Sequence, residues 1–222
     1  MKVRLISYSQ PTIFLKSEGL NDVQDLVAFC ARVSNPSNQM NSETSEKLLK
    51  YLAKHKHWSP FEMASVCLEV ECTRDIARQF LRHRSFSFQE FSQRYADPLQ
   101  DLEFSTREAR LQDLKNRQNS VEVDDEKLQH AWKAKQLMII HEAKMAYKWA
   151  IENGIAKEQA RAVLPEGLTM SRLYVNGTLR SWIHYIELRS GHGTQKEHIE
   201  LARAIANTIK IIFPLTEQYV SQ

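Results

Sequence analysis

Arginine is distributed unevenly along this chain of 222 residues. Two stretches without lysine, 57–114 and 158–195, hold eleven of the fifteen arginines. The guanidinium group is a planar fork of five donors that stays charged when half-buried, whereas the lysine ammonium is a strongly hydrated point charge. The pattern therefore favours bidentate recognition of phosphate or carboxylate groups in a sheltered site. For any single arginine, the alternative is an ion pair with a carboxylate near the core, such as Asp75, Glu90 or Glu187.

Three of these arginines are expected on one face of a helix. The segment 73–84 begins with a threonine suited to cap a helix, and the pattern predicts a helix through its end. Arg74, Arg78 and Arg82 then follow one another at intervals of four residues. Like charges at this spacing destabilise a helix by about 0.2–0.5 kcal/mol per pair. Asp75 lies off this face, so we expect a bound phosphate to supply the missing negative charge.

The most specific motif is the string RHRSFSFQEFSQRY at 82–95, in which seven residues separate an Arg-His-Arg triplet from Ser92. The triplet alone is a weak signal, because it also suits a solvated helix end. The whole string resembles the signature of the flavin-dependent thymidylate synthases. Three further segments resemble site segments of that family and follow in its order: KHKHWSPFE at 54–62, ARAVLP at 160–165 and NGTLRSWIHYIELR at 176–189.

The resemblance implies a reaction and an assembly. In the family, dUMP becomes dTMP with the methylene carbon of 5,10-methylenetetrahydrofolate, and tetrahydrofolate is released. The hydride comes from FAD, which NADPH reduces. The resemblance also implies a homotetramer whose active sites are shared between subunits.

The resemblance assigns side chains to each ligand. The flavin contacts are Ser59, Arg82, His83, Arg84, Glu90, Thr178, Leu179, Arg180 and His184. The nucleotide contacts are Gln79, Arg82, Glu90, Ser92, Gln93, Arg94, Arg161 and Arg189. His57 is associated with folate or the redox cycle, and Tyr95 with the substrate entrance. No metal site is predicted, because His55 and His57 lack an accompanying carboxylate pattern.

Arg189 is the predicted catalytic residue. By resemblance it lies beside the uracil ring, whose C5 must become nucleophilic without a cysteine. A fixed cation stabilises the charge that develops on O4 and N3 in the transition state. Arginine cannot act as a base at neutral pH, so its predicted role is electrostatic. The alternative is an ion pair with Glu187, but residues two apart do not face each other on a helix.

Hydrophobic periodicity predicts an α+β fold: one mixed domain over 1–222, with a central antiparallel or mixed sheet and flanking helices. Strands are expected at 3–8, 61–71 and 169–175, the last broken by Asn176-Gly177. Helices are expected at 21–32, 42–55, 73–84, 125–151, 157–163, 179–189 and 196–212. Polar residues 97–125 are predicted to form a loop with short helical pieces. The longest helix carries an apolar stripe that suits a core or a subunit interface: Leu128, Trp132, Ile139, Ala143, Ala146 and Ala150.

Composition disfavours several other classes of protein. The formal charge is only +3, and binding to a phosphate backbone normally recruits lysine as well as arginine. A nucleic-acid module is therefore the less favoured hypothesis, while a catalytically silent nucleotide-binding relative stays open. The three cysteines form no Cys-x-x-Cys pair, and the chain has no signal-like N-terminus and no apolar run of about 20 residues. We therefore expect a cytoplasmic protein that has neither a membrane nor a nucleic acid as partner.

Overall fold

The computed structural model describes residues 1–220 and has the predicted α+β fold. The last two residues of the predicted 1–222 domain lie outside this part. The strands are β1 Lys2–Tyr8, β2 Ser65–Thr73, β3 Ser87–Glu90, β4 Arg110–Gln112, β5 Ser120–Glu122 and β6 Met170–Thr178. The helices are α1 Ile13–Ser17, α2 Val23–Ala31, α3 Ser45–Lys54, α4 Arg74–Phe80, α5 Pro98–Asp101, α6 Glu126–Glu152, α7 Lys157–Ala160, α8 Leu179–Arg189 and α9 Lys196–Lys210. Short 3-10 segments lie at Pro36–Asn38, Ser59–Glu62, Arg161–Val163 and Pro214–Tyr219.

Four strands form one sheet in the order β1-β2-β6-β3. The side chains of Val66, Leu68 and Val70 on β2 are fully buried. The residues cluster into two compact units, whose boundaries fall inside β2, β3 and β6. The first unit comprises Met1, Glu71–Arg82 and Gln89–Leu173, and the second comprises Lys2–Val70, His83–Phe88 and the residues from Tyr174 onward. The single domain stays a prediction.

In the second unit, α8 and α9 pack against each other and form much of the core. Trp182 on α8 is fully buried and donates its indole N–H to the carbonyl oxygen of Val66 at 3.0 Å. Leu201, Ile205 and Ile209 lie at helical spacing on α9 and are also fully buried. This packing fixes α8, whose last residue is the predicted catalytic arginine.

In the first unit, only the C-terminal half of α6 packs as the sequence predicts. Its core cluster contains Tyr147, Ala150 and Ala160, the last from α7. Of the predicted stripe, Ala143 and Ala150 are core, whereas Ala146 is exposed and Leu128, Trp132 and Ile139 are 37%, 44% and 50% exposed. For these exposed residues, the alternative of a subunit interface stays a prediction. Across residues 1–220, no helix combines the length and the apolar character that crossing a bilayer requires.

Residues 97–125 are more ordered than the predicted loop. They contain α5 and the antiparallel β4–β5 ribbon, in which Arg110 pairs with Glu122. The preceding segment is held to α6 by two side-chain amides. Gln136 accepts the backbone N–H of Arg107 and donates to its carbonyl oxygen, both at 2.8 Å, and Gln129 bonds both backbone groups of Ala109 in the same way. The two glutamine side chains thus form the backbone hydrogen bonds that a neighbouring strand would otherwise form.

The predicted helix over 73–84 ends early. Helix α4 stops at Phe80, so Arg74 and Arg78 share the helix while Arg82 lies beyond it. The shared face of three arginines is therefore wrong for Arg82. The chain turns because Phe86 must reach the core, where its ring centroid lies 4.5 Å from that of Trp182.

Gly177 does not break β6, contrary to the prediction, because the strand continues through Thr178. A Cβ atom on this residue would overlap the ring of Phe86. Glycine is thus required here by close approach of an aromatic ring and not by a turn. The same contact fixes the loop that follows Arg82.

Candidate active site

A cationic cavity of about 260 Å³ in the first unit is lined by side chains from three segments. Arg74 and Arg78 come from α4, Gln93 follows β3, and Arg161 and Glu166 lie in the connection from α7 to β6. The other lining residues are Ala162 and Leu164. Three guanidinium groups face one carboxylate, so the cavity favours anions.

Two carboxylates already contact the arginines of α4. Glu166 accepts a hydrogen bond from Arg78 Nε and lies 3.9 Å from Arg74 Nε. Glu90 lies 3.4 Å from Arg74 Nη1 and accepts from Ser171 Oγ at 2.8 Å. The ion-pair alternative is therefore right for Arg74. The expectation that an external anion alone balances this face is wrong, because Glu166 reaches it from a segment distant in sequence.

Gln93 supplies a donor that no group within residues 1–220 uses. Its side chain is 3% exposed, and its buried Nε2 has no hydrogen-bond partner among residues 1–220. Leaving a buried polar group unpaired costs about 1–3 kcal/mol. Because Gln93 lines the cationic cavity, the unpaired N–H groups are suited to an anionic ligand there.

The neighbours of Gln93 contact other groups. Arg94 Nη2 lies 3.2 Å from a carboxylate oxygen of Glu158, and the backbone N–H of Arg94 donates to Ser92 Oγ at 3.4 Å. Arg161 Nε donates to the backbone oxygen of Glu158 at 3.3 Å. The structure thus brings Gln93 and Arg161 into one cavity, whose lining within the described chain does not include Arg94.

A second cluster, in the second unit, joins His83 to Arg189. Arg189 Nε donates to His83 Nε2 at 2.9 Å, so this ring nitrogen is the acceptor in the bond. The edge of the His83 ring meets Tyr185, with centroids 5.0 Å apart. The Oη atom of Tyr185 lies 3.0 Å from Nε2 of His198. The predicted catalytic arginine is therefore held by a histidine of the triplet motif and not by Glu187.

His198 is fully buried beneath this cluster. Burial, and then the positive charge of Arg189, lower the pKa of His198 to about 3, and His83 lowers it further whenever His83 is protonated. His198 is therefore neutral at physiological pH. Between about pH 3 and pH 6.5 the unfolded chain binds a proton at this histidine that the folded chain does not.

We expect this burial to make stability depend on pH. The stabilising contribution of neutral His198 is complete above pH 6.5 and is lost as the pH falls toward 3, by about 1.4 kcal/mol per pH unit. In His198→Gln, which has no titratable group, urea unfolding at pH 4, 5, 6 and 7 should show a correspondingly smaller loss. The control is His130→Gln, a change at an exposed histidine on α6. Equal slopes in His198→Gln and the wild type contradict the argument.

The segment where β6 meets α8 is held by local contacts of the second unit. Thr178 caps α8 by accepting the backbone N–H of Ser181 at 3.2 Å, and Leu179 donates its N–H to the carbonyl oxygen of Ala64 at 2.9 Å. Arg180 forms an ion pair with Glu62. His184, one turn later, meets Trp58 edge to face with centroids 4.8 Å apart, and burial with the nearby Arg180 lowers the pKa of His184.

Comparison with known proteins shows the family of this chain. The family model described as "Thymidylate synthase complementing protein" matches residues 17–215. The chain is 48% identical over 214 residues to a probable flavin-dependent thymidylate synthase of Paramecium bursaria Chlorella virus 1, covering 96% of each protein. It belongs to the flavin-dependent thymidylate synthase family. A member from Synechocystis sp. is 45% identical over 214 residues, again with 96% of each chain covered.

A solved structure supports the fold. The UMP/dUMP methylase PolB of Streptomyces cacaoi, crystallised with 5-Br dUMP, superposes with a TM-score of 0.77 over 98% of this chain and 93% of that chain. Sequence identity is 24%, so this likeness concerns the fold alone.

Several residues assigned from the family motifs lie at the surface. The exposed ones are Ser59, Arg82, Arg84 and His57, and Tyr95 is 83% exposed. Gln79 on α4 is half-buried. Cys72 is buried, which raises the pKa of its thiol to about 12, so it is no thiolate nucleophile at neutral pH. Among residues 1–220, no group of three His, Cys, Asp or Glu side chains is placed to hold a metal ion.

Sequence reasoning did not place five residues that the structure brings to the two clusters: Arg74, Arg78, Glu166, Tyr185 and His198. Helical spacing drew attention to Arg74 and Arg78, yet only the structure places them in the cavity. Glu166 gave no signal, because a lone glutamate after a proline is ordinary in a loop. His198 and Tyr185 lie on different helices, so their contact required the fold.

Proposed function

We propose that this protein converts dUMP to dTMP, using the methylene carbon of 5,10-methylenetetrahydrofolate and a hydride from FAD that NADPH reduces. The observation that carries the proposal is the cationic cavity, in which Arg161 and the unpaired amide of Gln93 meet. Both residues come from segments that the family uses for its nucleotide. The proposal rests on two observations: Arg161 and Gln93 line one cavity, and the chain belongs to the family.

In this proposal the cavity holds the phosphate of dUMP. Guanidinium groups and an amide N–H donate charge-assisted hydrogen bonds to phosphate oxygens. Gln93 and Arg161 supply such donors from two motif segments, 82–95 and 160–165, and Arg74 adds a third group from α4. Ser92, Arg94, Gln79 and Glu90 are proposed to contact the rest of the nucleotide.

Arg189 is proposed to stabilise the charge that develops on uracil. Its Nε bond to His83 fixes the plane of the guanidinium group, and the two Nη groups carry the donors assigned to the uracil ring. A donor that is already oriented stabilises a transition state without reorganisation during the reaction. His83 therefore has a positioning role toward Arg189 in addition to its assignment to the flavin.

The flavin is proposed to bind near the triplet motif. The exposed guanidinium groups of Arg82 and Arg84 suit a pyrophosphate, and Arg180 is half-exposed beside Glu62. The other proposed contacts are Ser59, Thr178, Leu179 and His184. When bound and reduced, the flavin supplies the hydride, and the chain's own part is to bind and orient it.

A homotetramer is part of the proposal, supported by the exposed apolar surface of α6. Leu137, Met138, Met145 and Trp149 are 49%, 61%, 54% and 61% exposed. Apolar surface of this kind on one long helix favours association with another chain. Sedimentation equilibrium measures the mass directly, and a monomer at all concentrations would contradict this part.

The decisive experiment is the absorbance spectrum of the purified protein. We expect a yellow protein, or one that turns yellow when FAD is added, and we expect NADPH to bleach it without oxygen. Adding dUMP should perturb the flavin band, because the proposed hydride transfer requires the nucleotide to reach the flavin. A colourless protein that takes up no FAD would contradict the proposal.

A further inference from the structure

Glu166 is the one carboxylate among the side chains that line the cationic cavity in the described chain. It lies one residue after Pro165, in the connection to β6, and its side chain is 43% exposed. The cavity's other charged groups are the guanidinium groups of Arg74, Arg78 and Arg161. Glu166 therefore places a half-exposed negative charge in a site that otherwise attracts anions.

The carboxylate of Glu166 uses the donors that an anion entering the cavity needs. It accepts from Nε of Arg78 and lies 3.9 Å from Nε of Arg74. No hydrogen bond joins it to Arg161 or to Nε2 of Gln93 within residues 1–220, although both line the same cavity. The guanidinium groups of Arg74 and Arg78 are thus paired within the protein, whereas Nε2 of Gln93 keeps its N–H donors for a ligand.

The charges in and beside the cavity limit how much negative charge a ligand can bring. The three guanidinium groups and the carboxylate of Glu166 leave two positive charges among the lining residues, and Glu90, which pairs with Arg74, offsets one of them. The dianion of a phosphate monoester already exceeds the remaining positive charge. A diphosphate or triphosphate brings further negative charge, which the carboxylate of Glu166 repels. Like charges brought together in this way disfavour the wrong ligand.

We propose that Glu166 is a specificity-determining residue of this site: an internal competitor that weakens anion binding and selects a nucleoside monophosphate over the polyphosphates. This inference rests on the proposed function, in which the cavity holds the phosphate of dUMP. The glutamate lowers affinity for every anion, and it lowers affinity most for a ligand with extra phosphates. Glu166 also holds the two α4 arginines in place when no ligand does so.

The test is calorimetric titration of the flavin-loaded protein with inorganic phosphate, dUMP and dUTP. In Glu166→Gln we expect phosphate and dUMP to bind about fivefold more tightly and dUTP at least about twentyfold more tightly. The control is Glu152→Gln, which removes a carboxylate of the same unit that pairs with Lys148 on the exposed side of α6. It should leave all three affinities unchanged.

Two variants separate this inference from the proposed function. If dUMP binds the wild type and Arg161→Ala weakens it, the phosphate site stands. Weaker or unchanged dUMP binding by Glu166→Gln then contradicts the proposal that Glu166 competes with the ligand. Equal increases in affinity for dUMP and dUTP contradict its role in specificity. If the wild type binds no dUMP, or Arg161→Ala binds it normally, the proposed phosphate site itself fails.

Discussion

Replacing Arg189 by alanine is expected to lower the turnover number for dTMP formation about 100- to 1000-fold, the usual cost of losing one oriented electrostatic donor. The bond from Nε to His83 Nε2 orients the guanidinium group of Arg189, and the alanine variant loses this oriented donor. Flavin content should stay near that of the wild type, because the flavin contacts are assigned to other residues. Initial rates and the absorbance of the bound flavin measure the two quantities.

The conservative variant Arg189→Lys sharpens this experiment. Lysine keeps the charge but lacks the planar fork that bonds His83 and faces the uracil ring together. We expect only a small recovery of the rate. Arg117→Ala, a change at an exposed arginine between β4 and β5, is the control for loss of one positive charge. Near-normal turnover in Arg189→Ala removes Arg189 from the catalytic role.

Arg161→Ala is expected to weaken dUMP binding about 10- to 100-fold, because a charge-assisted hydrogen bond contributes about 1.5–3 kcal/mol. Arg94→Ala should weaken it less, about fivefold or below, because the guanidinium group of Arg94 pairs with Glu158 and such exposed pairs contribute about 0.2–1 kcal/mol. Flavin content should be unchanged in both. Equilibrium titration with dUMP measures the dissociation constants.

The comparison of these two variants tests the structure against the sequence motif. The motif treats Ser92, Gln93 and Arg94 as one phosphate-binding group, while the structure places only Gln93 of the three in the cavity with Arg161. Equal losses in Arg161→Ala and Arg94→Ala would mean that Arg94 leaves Glu158 to reach the phosphate. Unaltered dissociation constants in both contradict the phosphate site.

Most elements could be predicted from the sequence because local signals specify them. Asp125 caps α6 by accepting the N–H of Leu128 at 3.0 Å, and α8 has the predicted bounds, 179–189. The early end of α4 and the continuation of β6 could not be predicted. Both depend on the burial of Phe86, which is a tertiary effect that outweighs helix and turn propensities.

Part of the candidate site could also be predicted from the sequence, because local signals specify it. The motif segments located Gln93, Arg161 and Arg189, since residue type and spacing are local information. The partners of those residues are not local. Glu166 meets Arg78 across 88 positions, and Arg189 meets His83 across 106. Short strand β3, inside the motif itself, was also missed, because it is only four residues long.

The junction of β6 with α8 has no loop, since Thr178 ends the strand and caps the helix that starts at Leu179. A connection without a loop cannot absorb an inserted or deleted residue, so any change of chain length displaces the helix that follows. One residue inserted after Thr178 would turn the whole of α8 by about 100° and advance it by about 1.5 Å, which carries Arg189 away from His83. Length at this point is therefore as constrained as residue type: we expect an insertion scan to find the interval from Gly177 to Arg189 intolerant of any added or deleted residue.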